Sequence, residues 1–169
     1  MKLIPWRRVS SWTCNGCGRC CEQLKPVLSR EEKEQLTEQF GEDVVSCEDG
    51  LFKLAKIGSR CYFQRYVDGR SFCLLQNTGL KPASCRTFPF IVSVEPLDEK
   101  DGKASLSFQG REIYVYANPR CPSLRTGEPD RQLAGRVIPE VVRIALSDRE
   151  KQVHSTSSHP SLALPIPRI

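Results

Sequence analysis

A chain of 169 residues with 39% hydrophobic and 27% charged content suits one globular domain with extensions. No apolar run approaches the ~20 residues of a membrane-spanning helix, and Met1-Lys2-Leu3-Ile4-Pro5-Trp6-Arg7-Arg8 lacks the apolar stretch of a secretory signal, so a cytoplasmic protein without a membrane partner is expected. Nine cysteines against two histidines and one methionine point to a metal centre, and a net charge of +5 balances buried thiolate as readily as it attracts nucleic acid.

Residues 1–13 form a basic lead containing Trp6 and Trp12; with Arg7 and Arg8 these would be the stacking and phosphate-pairing groups of an RNA contact. The run Cys14-Asn15-Gly16-Cys17-Gly18-Arg19-Cys20-Cys21 is read as a loop wrapped around metal, too rich in Gly and Cys for regular helix. Ser29 and Glu32 have the spacing of a capping box, so a helix starts there; Leu36 and Phe40 share its apolar face and Gly41 stops it. Residues 51–56 and 72–76 predict strands around a hinge at Asp68-Gly69, and residues 90–94 another strand. Residues 104–108 and 112–117 alternate as a hairpin across Gln109-Gly110-Arg111. Leu133, Val137, Val141, Ile144 and Ala145 predict a second helix within 130–150, started or kinked by Pro139. The expected fold is thus α+β: a small metal-stapled domain over residues 1–150 with two main helices, short antiparallel strands and long irregular loops. A flexible tail over 151–169 carries His154 and His159.

The cysteines fall into two sets. Cys14-x2-Cys17-x2-Cys20-Cys21 lets successive thiolates curl onto one centre, with the spacing of three corners of a [4Fe–4S] cubane and equally of overlapping zinc knuckles. In extended chain Cys20 and Cys21 would face opposite ways. Cys61-x11-Cys73-x11-Cys85, then Cys121, supply further ligands from strand ends and loops. Eight thiolates suffice for two four-coordinate sites, or for one cluster plus a redox or structural set. Cys47 stands outside the pattern as an ordinary thiol. Arg19, Arg60, Arg86 and Arg120 each adjoin a predicted ligand, where a guanidinium offsets thiolate charge.

Together, the leading cysteine run, Cys61-Tyr62-Phe63, Cys73-Leu74-Leu75 and Lys81-Pro82-Ala83-Ser84-Cys85-Arg86-Thr87-Phe88-Pro89-Phe90 resemble the YkgJ-like CxxCxxCC cysteine-cluster family, with Lys81 where that pattern has Arg. The resemblance runs over residues 12–122 and implies zinc or iron chelation by Cys14, Cys17, Cys20, Cys21, Cys61, Cys73, Cys85 and Cys121. It also implies an apolar wall at Phe88-Pro89-Phe90. Similar clusters in flagellin lysine methylases imply an iron–sulfur centre.

The chain has no His-Glu-x-x-His, no Gly-x-Ser-x-Gly and no P-loop, and cysteine-only zinc is ordinarily structural. The leading expectation is a metal-binding protein carrying an iron–sulfur cluster. The alternatives are a structural zinc module for a protein or RNA partner, and a redox or radical-type enzyme component.

Overall fold

The computed structural model describes residues 2–97, 102–147 and 151–156, and the fold is α+β. The described residues divide into two units: one comprises those up to Cys14 together with those from Arg86 to Thr156, the other Asn15–Cys85. Among the described residues, no helix is long and apolar enough to cross a membrane.

The first unit opens with β1 (Ile4–Pro5) and β2 (Val9–Trp12), joined by a 3₁₀ turn at Trp6–Arg8. The second unit then supplies α1 (Arg19–Gln23), α2 (Arg30–Phe40) and three hairpins. These are β3 (Val45–Glu48) with β4 (Leu51–Leu54), β5 (Lys56–Ile57) with β6 (Arg60–Cys61), and β7 (Gln64–Val67) with β8 (Arg70–Cys73). Helix α3 (Ala83–Thr87) follows, and the first unit resumes with β9 (Phe90–Ser93), β10 (Ser105–Phe108), β11 (Arg111–Ala117), β12 (Leu124–Thr126) and α4 (Ile138–Ser147).

Helix α2 forms as its sequence dictates. Ser29 Oγ accepts the Glu32 N–H, the Glu32 carboxylate accepts the Ser29 N–H, and Leu36 is fully buried. The β3–β4, β7–β8 and β10–β11 hairpins turn at Asp49-Gly50, Asp68-Gly69 and Gln109-Gly110, where both residues of each pair hold positive φ, as a two-residue turn matched to strand twist requires. The β3–β4 hairpin was not anticipated, although Asp49-Gly50 is its signal. The strands around Asp68-Gly69 are Gln64–Val67 and Arg70–Cys73 rather than 51–56 and 72–76: the first expected strand instead covers β4, which pairs with β3, and the start of β5, and the second overlaps only the end of β8.

The sheet of the first unit is built on β11, which pairs antiparallel with β9 on one edge and with β10 and β1 on the other. Separately, β12 pairs with β2, bringing Leu124 opposite Trp12. The core joins Val9, Trp12, Phe90, Ile113 and Val115 to Leu133, Val137, Ile138 and Val141. Trp12 and Phe90 meet edge to face at 5.6 Å. Both Trp6 and Trp12 are buried in this core, so neither indole is displayed for stacking on RNA. A π-helical segment at Leu133–Val137 runs directly into α4, so Pro139, lacking an N–H, falls just after a stretch of wider hydrogen bonding.

One contact holds the start of the expected tail. The Glu140 carboxylate, almost wholly buried, accepts the N–H groups of Val153, His154 and Ser155 (3.0, 2.9 and 2.7 Å) and the Ser155 hydroxyl (2.6 Å). Burial pushes its pKa up, but the Ser155 hydroxyl and these N–H groups outweigh that and hold it below the usual carboxylate range. His159 and the remainder of the tail lie outside the described residues.

Candidate metal centre

The second unit gathers thiols around a small apolar cluster of Leu28, Leu36, Val44, Leu54, Cys61, Phe63 and Leu75, against which Cys21, Cys73 and Cys85 pack. The leading cysteine run is only partly a loop. Gly18, at φ 76°, ends the loop as N-cap of α1, so Cys20 and Cys21 are helical. The physical reason is local: once Gly18 takes the left-handed conformation, its carbonyl accepts the N–H groups of Cys21 and Glu22 and closes a first turn. Adjacent residues on a helix diverge by about 100° rather than the 180° of extended chain. The Cys20 and Cys21 Sγ atoms accordingly lie 3.9 Å apart instead of pointing apart.

A polar network pins this turn to the β7–β8 hairpin. The buried Gln64 Nε2 lies within hydrogen-bond reach of Gly18 O (3.4 Å), Tyr66 Oη (3.1 Å) and Ser71 Oγ (3.0 Å). Ser71 N–H donates to Gly16 O (2.7 Å), and Tyr66 Oη donates to the Glu22 carboxylate. A Cβ on Gly18 would come within 2.5 Å of Gln64 Nε2 and Tyr66 Oη, so only glycine fits there. No sequence signal marked Gln64, whose importance comes wholly from what it touches.

Cys61 ends β6 and Cys73 ends β8, directly opposite Gln64 in register. Cys85 lies within α3 rather than in a loop. These thiols feel one another's charge. Burial, reinforced by the Cys73, Cys61 and Cys20 thiols, pushes Cys85 well up; burial is also the leading cause of the raised values of Cys73 and Cys61. Cys20 goes the other way, to about 7, because the Cys21 thiol donates a hydrogen bond to it and Lys81 adds positive charge; Cys21 is driven far up in consequence. Lys56 and Lys81 are thus the cations facing the sulfurs, and neither was picked out from the sequence as charge compensation.

The other predicted ligands are placed differently. Cys17 is exposed on the loop, its N–H donating to Asn15 Oδ1. Cys14 and Cys121 belong to the first unit, packed against its core, with Trp12 Nε1 donating to Cys121 Sγ at 3.3 Å. Cys47 is exposed on β3, and Phe90 belongs to the core of the first unit. None of the nine cysteines is joined in a disulfide. Among the described residues, no three His, Cys, Asp or Glu side chains meet closely enough to hold a single ion.

The donor chemistry nonetheless fits a thiophilic metal. Sulfur is the soft ligand that zinc and iron–sulfur centres select, and a bound cation reverses the burial penalty by deprotonating the thiols it binds. The CxxCxxCC family model, "Putative zinc- or iron-chelating domain", matches residues 13–122. The chain belongs to the CxxCxxCC family. The stretch matched to this zinc- or iron-chelating domain contains all nine cysteines and ends before α4. Neither a curated protein nor a solved structure matches the chain.

Proposed function

We propose that this CxxCxxCC domain carries a [4Fe–4S] cluster held by the thiolates of Cys20, Cys61, Cys73 and Cys85, with Cys21 as hydrogen-bond donor to the Cys20 sulfur. The observation that supports this is the packing of Cys61, Cys73 and Cys85 on one apolar cluster, with the Cys20 thiol near enough for its charge to raise the pKa of all three. A cubane takes one thiolate per iron from four directions, and here the four come from α1, β6, β8 and α3. When bound, such a cluster supplies a one-electron couple and a cross-link among those elements. The chain's own contribution is to hold the sulfurs at fixed places, to exclude water with Leu36, Phe63 and Leu75, and to set Lys56 and Lys81 against the thiolate charge. Cys14, Cys17 and Cys121 fall outside this set.

One distance favours a second reading, a structural zinc site that orders the unit for a protein partner. Two thiolates on one tetrahedral zinc, with Zn–S near 2.3 Å, stand about 3.8 Å apart. Cys20 and Cys21 stand 3.9 Å apart. Either centre requires thiols kept reduced, which supports a reducing compartment such as the cytoplasm.

Metal and labile sulfide analysis of anaerobically purified protein separates the two. About four irons with matching sulfide and absorbance near about 400 nm, lost in Cys61→Ser and Cys73→Ser but kept in Cys47→Ser, is the expected result. A colourless protein with about one zinc favours the second reading. A fully folded chain with neither metal overturns both.

A further inference from the structure

The capping box of α2 does more than start a helix. Glu32 divides its carboxylate between two elements: Oε2 accepts the Ser29 N–H at 2.8 Å, and Oε1 accepts the Ala83 N–H, 51 positions away, at 2.7 Å. Ala83 is the first residue of α3, so its N–H is one of the donors a helix start leaves unpaired, and the preceding Pro82 offers no side-chain acceptor. The carboxylate of a different helix caps it. A second tie runs alongside, Ser84 Oγ donating to Val27 O at 3.2 Å. Cys85 follows two residues after Ala83, its N–H bonded to Pro82 O, and packs on the same cluster as Leu28 and Leu36, which flank and line α2.

From this geometry we propose that Glu32, itself no ligand, is the positioning residue for Cys85. By capping α3 from α2 it holds that thiol against the cluster, so retention of the metal depends on a carboxylate in a distant part of the sequence. This rests on the metal-binding reading above. A carboxylate accepting backbone N–H groups makes a charge-assisted bond, stronger than a neutral one. Losing it unpairs the first N–H of a helix only five residues long, too short to hold its own first turn in water.

Three variants isolate the effect. Ser29→Ala removes the hydroxyl from the capping box but leaves both carboxylate bonds. Glu32→Ala removes both. Ala83→Pro deletes only the donor in α3, at the first helical position where proline is tolerated. In metal-free protein, iodoacetamide labelling of Cys85 is followed peptide by peptide with Cys73 as internal reference. In Zn²⁺-loaded protein, release to a chelator is timed.

Glu32→Ala and Ala83→Pro are each expected to speed Cys85 labelling and zinc release about tenfold, with Cys73 labelling and Ser29→Ala within about twofold of wild type. Equal effects of Ser29→Ala and Glu32→Ala would show a mere helix-stability effect and overturn the proposal, as would an unchanged Cys85 in Ala83→Pro. Failure of the wild-type chain to take up zinc or iron would defeat the metal reading instead, and the labelling arm would still decide the role of Glu32.

Discussion

The two units solve the problem of a stable core by different means. The first joins a four-stranded sheet to α4 and buries twelve side chains in one cluster, none of them cysteine. The second has three two-stranded hairpins that never merge into a larger sheet. Its cluster has seven buried members, one of them Cys61, with three more thiols packed on it. An isolated hairpin is marginal in water, so this unit needs another source of order where the first does not. On the function proposed above, sulfur and a cation supply it. The contrast is then one of apolar packing in the first unit against proposed coordination in the second.

The sharpest way to break that contrast is to strip the metal. Anaerobic chelation is expected to cut hydrogen-exchange protection across residues 60–73 and 83–87 by about a hundredfold or more, while amides of β9 and β11 change little. Equal loss in both regions would erase the distinction. Next in size is Phe90→Ala. It removes an aromatic ring from the first core, so denaturant melts should register a cost of about 3–5 kcal/mol with metal content unchanged. In the second unit, Gly18→Ala combines a left-handed backbone with a 2.5 Å approach to Gln64 Nε2 and Tyr66 Oη. A loss of about 1–3 kcal/mol is expected there, together with weakened metal retention, measured by the same melts and by chelator competition.

The smallest effect is one of acidity in the first unit. Glu140 has a lower pKa folded than unfolded, so its stabilising contribution is complete above the unfolded value of about 4.3 and disappears as pH falls through the folded one. Exchange of the Val153, His154 and Ser155 amides, relative to their intrinsic rates, should therefore accelerate once pH falls below the usual carboxylate range. In Glu140→Gln it should be fast already at neutral pH. Acid-insensitive amides in the wild type would remove the carboxylate from that role.

What could be read from residue order alone follows the same division. The α2 capping box, the Gln109-Gly110 hairpin and the apolar period of the last helix are local patterns, and each appears at its expected place. The CxxCxxCC resemblance likewise rests on contiguous motifs, and its match over residues 13–122 agrees with them. Long-range partnership was not legible. Nothing near Gln64 announces that it braces Gly18, and nothing in Ser29-x-x-Glu32 says that the carboxylate also reaches Ala83. The assignment of Cys14 and Cys121 to a different unit from Cys20 depends on where the chain turns back, which spacing does not encode.

That turning back has a consequence for how the polypeptide is made. Ile4 pairs with Ala117 and Trp12 with Leu124, so the earliest strands have no partner until the ribosome has delivered residues more than a hundred codons later. Everything from Asn15 to Cys85 emerges in between. Vectorial synthesis therefore delivers the whole of residues 15–85 before either of these strands can meet its partner.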